Sequence, residues 1–388
     1  MIYFDQAATS LPKPEPVARA CYEAVLWGGN GGRGGHRASL ESLRSACEVR
    51  QALADWFGLA RPEQVCFTGN ATDSLNIALW GLLKPGDHVI TTVMEHNSVL
   101  RPLYRLENEG VEVTILPADT LGRVDWAGLA GALRPNTRAL VCCHGSNLTG
   151  NLNDLEALGR FCRSHGMVFV VDAAQTGGLY PIHMEKQNIG LLCLTGHKSL
   201  LGPQGIGALL VGDGIKLRPF RVGGTGVQSE RRDQPEEYPT LLEAGTLNGP
   251  GIAGLGAALD WLKERGPAAL REQEEALARR FYEGVADLPG VTVYGDCSAP
   301  RRCPIVSLNL GDWDSAAVSD ELATRFGIAT RPGLHCAPLA HQALGTQRQG
   351  AVRFSFSHFN TAGEIDRGIA ALRTLATEET PCGQKKKS

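Results

Sequence analysis

A lysine and an aspartate, each at the end of an apolar run, are the first residues in this chain that could do chemistry together. The segment "LTGHKSLLGPQGIG" (194–207) carries Lys198 out of a strand-like stretch into a glycine-rich turn. The segment "VFVVDAAQTGG" (168–178) delivers Asp172 after four apolar residues, with Gln175 one turn later. In open α/β sheets ligands bind beyond the carboxyl ends of the strands, so both side chains are expected at one cleft. A lysine able to form a Schiff base, beside a carboxylate able to keep a pyridinium nitrogen protonated, is what a pyridoxal 5'-phosphate site requires. Such a site also needs a phosphate cradle. The stretch "VCFTGNATDSLNIALWGLL" (65–83) offers strand, turn and apolar helix, with Asn70, Ala71 and Thr72 at the helix N-terminus, where free amides and the helix dipole favour an anion. Taken alone these three residues read as a helix cap; taken with Lys198 and Asp172 they read as the phosphate site.

A second candidate group is "RPGLHCAPLAH" (331–341), which sets Cys336 among Arg331, His335, His341 and two prolines. Pro332, Gly333 and Pro338 argue for an ordered loop, where reactive groups concentrate. A free thiol is mostly protonated at neutral pH, so a nucleophilic Cys336 needs cationic neighbours or help from its substrate, and His335 and Arg331 are expected to give it. A metal reading through His335, Cys336 and His341 gives three ligands, no recognisable spacing and no fourth. The chain holds eleven cysteines and no CxxC pair, which argues against a disulfide framework and a structural zinc site. Most of them, such as Cys66 and Cys193, lie in apolar runs and read as core thiols. The glycine-rich "GGNGGRGGH" (28–36) lacks the preceding strand of a nucleotide loop, and reads as a flexible entrance to the site.

The elements that must position these residues are legible as short apolar runs: "QVCFT", "HVITTV", "VEVTIL", "RALVCCH", "MVFVVD", "LLCLT" and "IGALLV". Separated by helix-length segments, these seven strands predict a mostly parallel sheet covered by helices on both faces. From "AALDWLKERG" onward the pattern changes to a charged helix over about 268–287, short strands "VTVYG", "PIVSLNL" and "AVRFSFSHF", and two further helices, a smaller α/β lobe. The expected division is an N-terminal segment 1–25 packing with the small lobe, a large domain 26–261, a small domain 262–378 and a flexible tail 379–388. The 388 residues exceed what one core usually fills. With 38 basic against 41 acidic residues and a net charge of -3, there is no electrostatic footprint for nucleic acid or an anionic membrane. "MIYFDQAATS" lacks a targeting pattern and no apolar run reaches membrane-span length, so the expected compartment is the cytosol.

The motifs "FDQAATS", "NATDSLN", "EHNS", "SNLTG", "DAAQ", "TGHK", "EAGTLN", "RPGLHCAP" and "VRFSF", in this order, resemble the class V aminotransferase group, and within it the cysteine desulfurases and selenocysteine lyases of the second type. The resemblance implies an α/β, type I pyridoxal-phosphate fold and a set of roles. Lys198 would hold the cofactor, Asp172 would pair with its ring nitrogen, and Gln175 would lie near its phenolic oxygen. His96 of "EHNS" would stack on the ring and assist proton transfer; by itself it reads as a polar strand-end residue. Ala71, Thr72, Thr195 and His197 would receive the phosphate, with Thr246 reaching it from the partner subunit of a homodimer. Asn147 and Arg353 would bind the substrate carboxylate, with His36 and Arg331 on the substrate side. The implied reaction is conversion of L-cysteine to L-alanine, with sulfur passing to Cys336 and then to an acceptor protein. The alternatives are selenocysteine lyase, another class V transamination or epimerisation, and a sulfur-trafficking protein without turnover. Two further questions stay open in the sequence: whether Cys382 in the tail relays sulfur or is an incidental cysteine, and whether the charged stretch 224–246 forms a partner-facing hook. Leu334 stands where many second-type members have a histidine, and Thr195 where serine is common.

Overall fold

The computed structural model describes residues 1–32 and 34–378; Cys382 and the rest of the tail lie outside them. Thirteen strands and ten α-helices are found among the described residues. In the first two thirds of the chain, the strands are β1 (Ile2–Tyr3), β2 (Val65–Thr68), β3 (His88–Thr92), β4 (Glu112–Leu116), β5 (Thr137–Cys143), β6 (Val168–Asp172), β7 (Leu191–Thr195) and β8 (Gly207–Val211). The helices between them are α1 (Glu15–Trp27), α2 (Arg37–Phe57), α3 (Ala71–Leu82), α4 (Asn97–Glu107) and α5 (Leu155–Ser164), with α6 (Gly249–Arg265) following. The remainder holds α7 (Pro267–Val285), β9 (Val291–Tyr294), β10 (Ile305–Leu310), α8 (Ser315–Phe326), β11 (Ile328–Ala329), β12 (Arg331–Gly333), α9 (Pro338–Ala343), β13 (Ala351–Ser355) and α10 (Ala362–Ala376).

The seven apolar runs form one sheet in the order β2-β8-β7-β6-β5-β3-β4. Its internal pairs are parallel except that β8 runs against both β7 and β2. The inner strands β6, β7 and β8 read as nearly continuous apolar runs because both faces are covered, whereas the edge strand β4 is partly exposed. Val171, Phe169, Leu140 and Leu192 enter one core with α2 and α6. Their neighbours Val170, Ala139, Val141 and Leu191 enter a second core with α3 and α4. The strict alternation between the two cores is the period-two geometry of a strand.

A third core belongs to the four-stranded sheet β12-β13-β10-β9, with α7, α8 and α10. The N-terminal segment joins it: β1 pairs with β11, and Phe4 packs edge-on against Phe281 and Phe356. Helix α6 runs unbroken through residues 261 and 262. Among the described residues, no helix is long and apolar enough to cross a membrane.

Candidate active site

The parallel strands end on a common edge, and a cavity opens there. It is lined by Asn70, Ala71 and Thr72 beyond β2, His96 and Ser98 beyond β3, Cys143, Gly145 and Asn147 beyond β5, Asp172 and Gln175 beyond β6, and Thr195, His197 and Lys198 beyond β7. The crossover topology thus gathers residues from five strand ends, as the edge of an open α/β sheet should. Asp172 is buried, and its Oδ1 accepts a hydrogen bond from the Ala174 amide at 2.9 Å. Burial pushes its carboxyl up, with the Ala174 amide and the Lys198 charge acting against that shift. Burial pulls the Lys198 amine down to about 8, opposed by Asp172 and reinforced by Arg353 and Arg331.

His96 caps α4. Its Nδ1 accepts from the Ser98 amide at 3.1 Å, which leaves the neutral ring's hydrogen on Nε2. Burial, together with the Lys198 and Arg353 charges, holds that ring neutral by pulling it down to about 4. The Ser98 hydroxyl lies 2.8 Å from His96 Nδ1 and 2.7 Å from Thr72 Oγ1, tying the two helix starts together. Asn70 caps α3 through the Asp73 amide. A Cβ on Gly207 would stand 2.9 Å from the Asn70 Cα, so only glycine lets β8 run this close beneath the turn.

Among the described residues, two polar atoms in this lining have nothing to bond to. Thr195 Oγ1 and His197 Nδ1 are buried without a hydrogen-bond partner, an arrangement that costs free energy unless a ligand satisfies it. Orphaned polar atoms, a helix start, a lysine of lowered basicity and a buried carboxylate fit a phosphorylated aldehyde cofactor with a ring nitrogen.

The wall beside the cavity is built around Asn147. Its carbonyl accepts from Arg353 Nη1 at 3.0 Å, and its side-chain amide donates to the His335 carbonyl at 2.8 Å. Arg353, on β13, is buried. Its Nη2 is paired with Asp5 at 2.8 Å, while its Nε is buried without a partner. Cys336 is exposed at the turn between β12 and α9, and its carbonyl accepts from the Asn97 amide at 2.7 Å. The residue after His96 therefore grips the Cys336 turn directly.

The class V aminotransferase family model matches residues 2–367. The chain belongs to that family. It is 33% identical over 384 residues to a probable cysteine desulfurase of Methanothermobacter thermautotrophicus, covering 97% of this chain and 94% of that one. It is 34% identical over 394 residues to the cysteine desulfurase IscS of Vibrio atlanticus, with 97% and 93% covered. The apo structure of a cysteine desulfurase from Thermococcus onnurineus superposes with a TM-score of 0.90 at 32% identity, covering 97% and 94% of the two chains. The cysteine desulfurase CsdA of Escherichia coli, in an S-sulfonic acid form, gives 0.86 at 28% identity, with 96% and 94% covered.

Not every expected residue of this class V chain lies at the cavity. Thr246 is exposed and outside the lining. His36 is exposed and caps α2 through the Ser39 amide. The described glycines around it fold back onto α2, with the Gly29 amide donating to Ser42 Oγ and Gly34 to Ser39 Oγ. Arg331 sits on β12, paired in register with Arg353. The 218–246 segment is tied to α3 by Arg218, which donates to the Trp80 carbonyl at 2.8 Å, and by the Arg221–Asp73 ion pair.

One expectation is corrected. His335 was expected to assist Cys336 as a cation, but burial, with the Arg353 charge, pulls it down to about 3, so it is neutral at physiological pH. Sequence reading also missed Ser98, Cys143 and Gly145, which line the cavity. Glu95 was missed as well: wholly buried behind His96, it accepts from Thr92 Oγ1 at 2.7 Å and from the Cys143 amide at 2.8 Å. Its place before His96 in "EHNS" was the only signal.

Proposed function

We propose that this protein is a pyridoxal-phosphate-dependent cysteine desulfurase. The observation that carries the reading is the meeting of Lys198, Asp172 and the orphaned Thr195 and His197 atoms at one cavity, beside a wall that carries Arg353 and Cys336. Lys198, Asp172, Gln175 and His96 would hold the cofactor's ring, and Ala71, Thr72, Thr195 and His197 its phosphate. When bound, the cofactor supplies an acceptor for the electron pair left at the substrate's Cα.

The chain's own residues do the rest. Arg353 Nε, without a hydrogen-bond partner among the described residues, and Asn147 receive the carboxylate of L-cysteine. Lys198 Nζ, neutral in an appreciable fraction of molecules near pH 8, takes the proton from Cα and returns one to Cα after the sulfur has left. Asp172 would pair with the ring nitrogen and keep it protonated. The Cys336 thiolate attacks the substrate sulfur, so one S–S bond forms as the Cβ–S bond breaks. The proton lost by the thiol balances the one gained at Cβ. The products are L-alanine and a Cys336 persulfide, which an acceptor thiol then relieves of its outer sulfur.

The division into an N-terminal segment, a large domain, a small domain and a tail, at the boundaries given above, belongs to the same reading. So does a homodimer in which Thr246 completes the partner's phosphate site. Exposed Tyr22, Val25 and Trp27 on α1, with Leu40 and Leu43 on α2, give the apolar surface that a second copy would cover.

The test is alanine release from L-cysteine and from L-selenocysteine by the wild type and Cys336→Ala. Cysteine turnover that collapses in the variant while the cofactor's absorbance persists is the expected result. Selenocysteine turnover that survives the substitution, with little cysteine activity in either protein, would make the protein a lyase.

A further inference from the structure

His335 and Cys336 both adopt left-handed backbone conformations, with φ of 50° and 54°. For residues with a Cβ each costs about 1–2 kcal/mol, and a consecutive pair persists only where the surroundings overdetermine it. Two carbonyl contacts, from Asn147 and Asn97, do part of this. The rest comes from side chains outside the cavity lining. The His335 and His341 rings lie nearly parallel, 12° apart, with His335 Nδ1 3.3 Å from His341 Nε2. His335 Nε2 lies 3.0 Å from the Arg331 carbonyl, and His341 Nδ1 lies 2.7 Å from Thr346 Oγ1. His335, His341 and Thr346 are all buried.

The direction of every bond in this chain follows from its last member. A carbonyl only accepts, so His335 Nε2 carries the hydrogen. In the neutral ring Nδ1 is then an acceptor, so His341 Nε2 donates to it. His341 Nδ1 must accept in turn, and the Thr346 hydroxyl donates. A single proton arrangement satisfies all four groups, with neither ring charged. It begins in the loop after α9, ends on the peptide of Arg331, and encloses the Cys336 turn.

We propose that His341 is a positioning residue for Cys336: through the one-way chain from Thr346 to the Arg331 carbonyl, it holds the thiol at the geometry from which it attacks the substrate sulfur. The proposal rests on reading Cys336 as the sulfur acceptor. Among the described residues no hydrogen bond joins His341 to Cys336, and His341 is not part of the cavity lining, so its substitution should leave substrate and cofactor binding intact and slow the sulfur step alone. Gln at 341 can still donate from Nε2 and accept at Oε1; Leu can do neither.

The experiment compares His341→Leu, His341→Gln, Thr346→Val, Thr346→Ser and Cys336→Ala as holoenzymes. It reads the cofactor's absorbance change on adding L-cysteine and the rate of persulfide formation. A misplacement of about 1 Å can cost up to about a hundredfold in rate, so His341→Leu is expected to lose at least about tenfold in persulfide formation. Its apparent affinity for L-cysteine should stay within about twofold of wild type. His341→Gln and Thr346→Ser should recover most of the rate, and Thr346→Val, nearly isosteric but without the donor, should lose several-fold. A wild-type rate in both His341→Leu and Thr346→Val overturns the inference while leaving the acceptor reading standing. Equal losses in affinity and rate, with no rescue by Gln or Ser, overturn it as well. Undiminished cysteine turnover in Cys336→Ala overturns the acceptor reading and, with it, the role of His341.

Discussion

Burial pulls the Lys198 amine down to about 8 and pushes the Asp172 carboxyl up, while the attraction between the two opposes both shifts. The lysine shift has a measurable sign. Only the neutral amine attacks an aldehyde, so the rate at which cofactor-free protein captures pyridoxal phosphate should rise with pH through about 8 and level off above it. A rate still climbing toward pH 10, as for an ordinary lysine, would contradict this. Glu95 shows what sequence reading could not see. Burial lifts its carboxyl to about 8, with the Thr92 and Cys143 donors opposing and Asp172 reinforcing, so near neutrality it is mostly protonated. Glu95→Ala would strand the Cys143 amide in the core and should cost about 1–3 kcal/mol in denaturant unfolding. Glu95→Gln, which still accepts from that amide, should cost clearly less; equal losses would contradict the assignment. Lys198 and Asp172 were legible because each follows an apolar run. Glu95 was not, because nothing in a sequence marks a carboxylate as buried.

At the level of elements, the inner strands were legible because burial on both faces makes them nearly continuous apolar runs, and edge strand β4 from its β-branched residues although it is partly exposed. β12 was not: its three residues, Arg331 to Gly333, include proline and glycine and show no alternation, and only pairing with β13 makes them a strand. The position of the 218–246 segment was equally hidden, since it depends on a pair distant in sequence. Arg50 of α2 and Glu243 form a buried ion pair at 2.6 Å, and Glu243 also accepts from the Phe67 amide of β2. One residue therefore anchors α2, β2 and the approach to Thr246. Removing one partner of a buried pair leaves an uncompensated charge, so Arg50→Met should destabilise the fold by about 3–5 kcal/mol. The double change Arg50→Met with Glu243→Leu should recover part of that loss. If the double variant is no more stable than the single, the pair is not the anchor described.

For the whole molecule, the proposed dimer makes a prediction that a single chain cannot satisfy. If Thr246 serves the partner's phosphate site, a hybrid of one Lys198→Ala subunit and one Thr246→Ala subunit holds one intact site and one doubly damaged site. Cofactor titration of that hybrid should show one site of wild-type affinity. If Thr246 served its own chain, neither site would be intact. The central claim is more direct: sulfur leaves L-cysteine and resides on Cys336 at an exposed turn held against the cavity wall. The measurement is mass spectrometry of the peptide containing Cys336 after the holoenzyme is mixed with L-cysteine and quenched by alkylation in the absence of any acceptor. A gain of one sulfur atom on Cys336, in step with the first equivalent of alanine released, is the predicted result. Alanine release with Cys336 left as an unmodified thiol would contradict it.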